Sequence, residues 1–227
     1  FGPDEKIYIT TGDATNANLS QKIDSLAGKI LRINSDGTIP DDNPFENSPV
    51  FSYGHRNPQG LDWTESGILV SSEHGPSGER GYAHDEINVI EAGQNYGWPI
   101  IVGDSDNPEY RNPILHSGDV TWAPSGLLYY DSDKIPEWKG KFFVAALRGQ
   151  HIMMLDLDLE NNKVNSIEKI LQGEYGRIRG LVQSPGGDVF VLTSNGDNDK
   201  ILRISSLETT PITLEKNESS SSVNGYW

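Results

Sequence analysis

Apolar and polar positions alternate in short runs along most of this chain. Period-two alternation over roughly four to eight residues marks strands. Lys6–Thr11 alternates in this way, and short apolar-rich runs between turn residues also read as strands at Lys29–Ile33, Ile68–Ser72, Asp85–Ile90, Lys141–Ala146, Ile152–Leu159, Ile167–Leu171, Asp188–Thr193 and Lys200–Ile204. Helical periodicity is nearly absent, and only Leu19–Leu26 reads as a short helical turn. Acidic, proline-rich residues Asn34–Phe45 and the polar residues 103–121 read as loops. Beyond Thr209 the alternation fails in a serine-rich, polar stretch. The organisation expected is one β unit over residues 1–207 and a flexible polar tail over 208–227.

Repetition refines the fold. PDEKIYITTGD (3–13) resembles PGGDVFVLTSNGD (185–197), and each is followed by a KILRI strand. GLDWTESGILVSS (60–72) resembles GLVQSPGGDVFVLTS (180–194), with Gly60 and Gly180 separated by 120 residues. A propeller blade takes roughly 40–45 residues, so this offset predicts about three blades between the copies. Four-stranded blades stacked face to face account for short strands without long helices. A β-sandwich also has short strands, but it does not predict a repeated strand–turn unit at that offset.

Composition narrows the partners. The 24 glycines and 13 prolines among 227 residues suit many tight turns. There is no cysteine, which excludes disulfides and thiolate metal sites. A formal net charge of −15 disfavours nucleic acid, because like charges repel the phosphate backbone. Acidic loops and carbonyl-rich turns suit calcium, which takes oxygen ligands. No apolar run reaches the length of a membrane span.

The densest chemistry lies in YGHRNPQGLDWTESGILVSSEHGP (53–76). Arg56, Arg177 and Arg179 stand just before the repeated Gly-Leu, and Arg148 follows the apolar run FFVAAL. Equivalent positions of different blades converge on a propeller axis, so these arginines predict a fixed positive cluster. Guanidinium pairs with carboxylate in a bidentate fork, which points to a polycarboxylate ligand. The Gly75-Pro76 turn can offer backbone carbonyls to a calcium ion. By themselves His74, His55, His84, His116 and His151 read as loop or packing residues, and Asp13 as a turn carboxylate.

GHRNPQGL (54–61), EHGP (73–76), DEINVIEAGQNYGWP (85–99), GRIRGLVQSPGGDVFVLT (176–193) and KILRINSDGTIPDDNPF (29–45) together resemble the glucose/sorbosone dehydrogenase family. These are soluble, pyrroloquinoline quinone (PQQ)-dependent aldose dehydrogenases built as six-bladed β-propellers. The resemblance runs from Phe1 to about Ser206. It implies calcium- and PQQ-dependent oxidation of an aldose at its anomeric carbon to a lactone, with an external electron acceptor. It also implies a periplasmic or secreted location. Arg56, Asn57, His74, Arg148, Arg177, Arg179 and Thr193 are implied as cofactor contacts. Gly75 and Pro76 are implied as calcium ligands through their carbonyls.

Asp13 matches the acid that orients the family's histidine base. That histidine is expected upstream of Phe1, and this chain is expected to carry about four of the six blades. Arg148 stands where the family usually has lysine. His116 and Asp119 replace two aromatic positions, so a broad aldose range is implied rather than glucose. Two other readings stand beside the enzyme. One is a binding propeller that keeps the anion and calcium sites without catalysis. The other is a calcium-dependent lactonase, which has no use for four arginines at the axis.

Overall fold

The structure, a computed structural model, describes residues 1–76, 83–207 and 210–215, the last by backbone only. It is all-β apart from two short 3-10 helices at Ala17–Gln21 and Pro136–Trp138. The first of these covers part of the expected Leu19–Leu26 turn.

Four antiparallel sheets follow one another along the chain, each an up-and-down meander, and none closes on itself. The first holds β1 (Ile7–Thr11), β2 (Lys29–Ile33) and β3 (Val50–Tyr53). The second holds β4 (Pro58–Trp63), β5 (Leu69–Glu73), β6 (Glu86–Ile90) and β7 (Leu115–His116). The third holds β8 (Pro124–Tyr129), β9 (Phe142–Ala146), β10 (His151–Asp158) and β11 (Lys163–Ile170). The fourth holds β12 (Ile178–Gln183), β13 (Val189–Thr193), β14 (Ile201–Leu207) and β15 (Thr210–Glu215). β15 pairs with β14 inside the stretch expected as a polar tail; residues 216–227 of that stretch lie outside the described residues.

The repeated units map onto this order and correct one expectation. β1–β2 and β13–β14 are equivalent hairpins, as their shared KILRI strands predict. Gly60 and Gly180, however, begin the second and fourth sheets. Their separation therefore spans two sheets, not three, because long connections such as residues 91–114 and the 130–141 loop lengthen each repeat.

Apolar faces meet between consecutive sheets. Ile30 packs with Leu69, Ile90 and Tyr96 between the first and second. Val70 and Ile87 meet Leu127, Val144, Met153 and Leu155 between the second and third. Phe143, Ile152 and Met154 meet Ile178, Leu181, Val191 and Ile204 between the third and fourth. β5 and β9 are buried on both faces, as strands covered on two sides must be. β11 is mostly exposed and carries Lys163, Asn165, Glu168 and Lys169, so charge blunts an outer edge that could pair with another chain. Asp188 adds a polar clamp, accepting from Lys134 of the third sheet and from Arg203 Nε (2.9 Å) of its own.

The first strands of the second, third and fourth sheets share a device. Each carries a register shift at a Gly-Leu pair: Gly60-Leu61, Gly126-Leu127 and Gly180-Leu181. A bulge re-aims a strand and sharpens its twist, and here it brings backbones of neighbouring sheets together. A Cβ at Gly126 would lie 3.0 Å from Gly180 Cα. One at Gly60 would lie 2.5 Å from Ser125 O. Ser72 Oγ donates to Ser125 O (2.8 Å), and Ser125 Oγ donates to Ile178 O (3.0 Å), stitching the three sheets along this line.

Candidate functional site

In a meander, the start of the first strand, the end of the second and the start of the third share one edge. The register Pro58↔Glu73↔Glu86 fixes that edge in the second sheet, Pro124↔Ala146↔His151 in the third, and Ile178↔Thr193 in the fourth. The expected site residues all fall there. Arg56 and Asn57 precede β4, and His74, Gly75 and Pro76 follow β5. Arg148 lies in the β9–β10 turn, Arg177 precedes β12, Arg179 lies on it, and Thr193 ends β13. Asp13 follows β1, and its N–H donates to Arg56 O (2.8 Å).

Arg56 is tethered through Nη1 to His74 O (3.3 Å), with its guanidinium carbon 5.9 Å from the Trp98 ring centroid. Trp98 in turn donates its indole N–H to Asp13 Oδ2 (2.9 Å), while Asp13 Oδ1 accepts Thr15 N–H (3.0 Å). Arg177 Nε donates to Ser194 O (3.1 Å). Thr193 Oγ1 donates to Asp199 Oδ1 (3.1 Å) and accepts Lys200 N–H (2.7 Å), so its buried hydroxyl closes the following turn.

The described arginines divide into two sets. Arg32, Arg111 and Arg203 each pair with a carboxylate. Arg56, Arg148, Arg177 and Arg179 pair with none among the described residues, although the chain carries 33 acidic side chains.

His74 is buried enough that its imidazole titrates below the usual value. Asp85 and the Pro124 backbone oppose the shift, while Arg56 and Arg179 reinforce it. Its Nε2 is buried with no hydrogen-bond partner among the described residues. Gly75 donates its N–H to the fully buried Asp85 (3.0 Å). A Cβ at Gly75 would sit 1.9 Å from Ala83 O, so this turn admits no side chain. Asp85 also accepts N–H from Trp122 (2.6 Å) and Ala123 (2.9 Å), binding the Gly75-Pro76 turn to the third sheet. Among the described residues no group of three or more His, Asp or Glu side chains could hold a metal.

A family model described as "Glucose / Sorbosone dehydrogenase" matches residues 1–203. The chain belongs to the glucose/sorbosone dehydrogenase family. It is 33% identical to the aldose sugar dehydrogenase YliI of Escherichia coli, a match that covers 88% of this chain and 56% of that protein. It is 36% identical to quinoprotein glucose dehydrogenase B of Acinetobacter calcoaceticus, over 65% of this chain and 36% of the relative. The PQQ-bound form of the aldose sugar dehydrogenase from Streptomyces coelicolor superposes with a TM-score of 0.79 at 33% identity, covering 95% of this chain and 60% of that one. The chain thus spans about half the length of YliI and about a third of the Acinetobacter enzyme.

Several residues of this family member's edge were given no site role from the sequence, among them His55, which read only as a loop or packing residue. His55 is fully buried, bonded through Nδ1 to Glu73 Oε2 (2.8 Å) and through Nε2 to Ser52 Oγ (2.8 Å), and it stacks on Tyr96. Glu73 Oε1 accepts the backbone N–H of both Arg56 and Asn57. Glu86 stands opposite Glu73 in the β5–β6 ladder and lines the cleft with Arg56, His74, Gly75 and Pro76. His55 and Glu73 sit inside the GHRN and EHGP motifs, the one signal that could have marked them.

Burial pushes the Glu86 carboxyl up to about 8, and Glu73 and Asp104 add to the shift, against hydrogen bonds from Asn88 and the Gly103 N–H. The folded protein therefore keeps a proton that the unfolded chain loses above its ordinary value of 4.5. Stability attributable to this group falls as pH rises between those values. Glu86→Gln is expected to match the wild type near pH 5 and to be more stable by about 1–3 kcal/mol at pH 8. Urea denaturation of calcium-free protein at both pH values checks this; an equal difference at the two would contradict it.

Proposed function

We propose that this edge binds PQQ together with a calcium ion, and that the chain serves the oxidation of aldoses to lactones. The observation that carries this is the set of four arginines at one edge, none paired with an acid among the described residues, in a protein of net charge −15. Unpaired guanidinium beside so many carboxylates calls for an anionic ligand, and the three carboxylates of PQQ suit it. The residues present fit the group in a second way. The buried Nε2 of His74 has no partner among the described residues, and the adjoining Gly75-Pro76 turn is held by Asp85 with no side chain at Gly75.

In this reading Arg148, Arg177 and Arg179 neutralise the cofactor's carboxylates, and Arg56 and Asn57 contact it beside His74. Gly75 and Pro76 present carbonyl oxygens to the cation, as calcium prefers. When bound, PQQ supplies an ortho-quinone that accepts a hydride, polarised by the cation. Asp13, fixed by Trp98 and Thr15, orients the base that takes the sugar's anomeric hydroxyl proton. An aldose substrate, an external electron acceptor and a periplasmic or secreted location belong to the same reading, as does a six-bladed propeller to which these four sheets contribute.

Equilibrium titration of this chain with PQQ, with and without calcium, tests the proposal. Saturable binding that needs calcium is expected, and it should weaken at least tenfold in Arg177→Gln/Arg179→Gln. Absence of binding in both conditions would overturn it. Bleaching of the bound quinone on adding an aldose separates the enzyme from a binding propeller.

A further inference from the structure

We infer that Glu73, backed by His55, is a positioning residue that sets the backbone of Arg56 and Asn57 for the cofactor. The inference rests on the reading that these two residues contact it. Glu73 ends β5 and is 3% exposed, and its carboxylate meets donors on both oxygens. Oε1 accepts the N–H of Arg56 and of Asn57 (3.2 Å for the latter). Oε2 is bonded to His55 Nδ1 (2.8 Å) and accepts Asn88 Nδ2–H (3.5 Å). The loop is tied back at the same place, where His74 N–H donates to Asn57 O (3.1 Å).

One carboxylate therefore fixes the peptide plane on either side of Arg56, and so the Cα from which the unpaired guanidinium projects. His55 fixes the carboxylate in turn. Its second nitrogen is spent on Ser52 Oγ in the first sheet, and its ring is stacked on Tyr96 with centroids 4.6 Å apart. Ser52, His55 and Glu73 thus join two sheets directly beneath the two residues. A buried acceptor this heavily used would be expensive to build for packing alone, where an apolar side chain would serve.

Glutamine and leucine separate the roles. In Glu73→Gln one oxygen still faces the two amides. Its NH2 can donate to His55 Nδ1 once the imidazole proton moves to Nε2, because a serine hydroxyl can accept as well as donate. In Glu73→Leu both amides lose their acceptor. The experiment measures PQQ affinity in the presence of calcium, and amide hydrogen exchange of the ligand-free protein, in both variants and in Leu155→Ala. Leu155 is fully buried on β10, so Leu155→Ala is a control for stability loss alone.

Glu73→Gln is expected within about threefold of the wild-type affinity, with Arg56 and Asn57 amides still protected. Glu73→Leu is expected to lose at least tenfold, with those two amides exchanging faster, while Leu155→Ala binds normally below its melting temperature. Wild-type affinity and protection in Glu73→Leu would overturn the inference. Loss of affinity in Leu155→Ala equal to that in Glu73→Leu would also overturn it, by making the effect one of stability. If the wild type binds no PQQ, the reading of the site fails. The exchange rates at Arg56 and Asn57 still decide whether Glu73 holds them.

Discussion

Gly60→Ala is expected to destabilise the protein by about 3 kcal/mol or more, the upper end of what forcing extra volume into a packed site costs. The added methyl would lie 2.5 Å from Ser125 O, 2.6 Å from Ser72 Oγ and 2.7 Å from Leu127 Cβ. Backbone oxygen cannot step aside as the end of a flexible side chain can. Ser72 cannot yield either without breaking its bond to Ser125 O. The second and third sheets would have to separate along the line that also positions His74 and Asp85. Gly186→Ala is the control, since only Ser184 Oγ at 3.9 Å is near and its backbone is not left-handed. Chemical denaturation of both variants checks the expectation; equal midpoints would show that the inner strands tolerate a wider spacing than these contacts imply.

The same glycines explain which part of the fold was legible. Strands such as Lys29–Ile33, Phe142–Ala146 and Val189–Thr193 are short apolar-rich runs bounded by turn residues, and they announce themselves by that composition. The first strands of three sheets do not. β4, β8 and β12 contain Pro58 and Gly60, Pro124 and Gly126, and Gly180, residues that ordinarily mark turns. Their glycines serve close approach between sheets, a demand of tertiary structure that local pattern cannot express. The Gly-Leu repeat hinted at it for two of the three sheets. Gly126-Leu127 is the third copy, without the downstream strand–turn spacing that made the others recognisable.

The site was legible in kind and not in wiring. Residue types and motif order grouped Arg56, Arg148, Arg177 and Arg179 as one candidate set, and they lie at one edge with no acid partner among the described residues. No sequence pattern links Trp98 to Asp13 across 85 residues, or His55 to Glu73 across 18. Those links depend on how sheets are set against each other, which side-chain chemistry alone does not fix.

Lys29→Met is expected to cost about 3–5 kcal/mol, because it removes the ammonium that donates to three inward carbonyls while keeping most of the volume. Lys29 is fully buried at the start of β2. Its Nζ donates to Leu19 O (3.0 Å), Ser20 O (2.9 Å) and Ala27 O (2.7 Å), gathering the 12–28 loop around one ammonium. Ser20 Oγ and Gln21 Nε2 from that loop donate to Trp98 O (2.8 and 2.6 Å), and Trp98 holds Asp13. The variant should therefore loosen Asp13 as well as lower stability. Burial pushes the lysine down to about 8, with Asp24 opposing, so between pH 8 and 10.5 the unfolded chain holds a proton that the folded one has released. Wild-type stability from this group rises with pH across that window. Methionine does not titrate, so the gap between the two proteins should widen from pH 8 to pH 10. Denaturation curves at those two pH values decide it: a gap that stays constant would mean that the three carbonyls hold the ammonium at its ordinary value, and a gap near zero would mean that the loop is held by Ser20 and Gln21 without it.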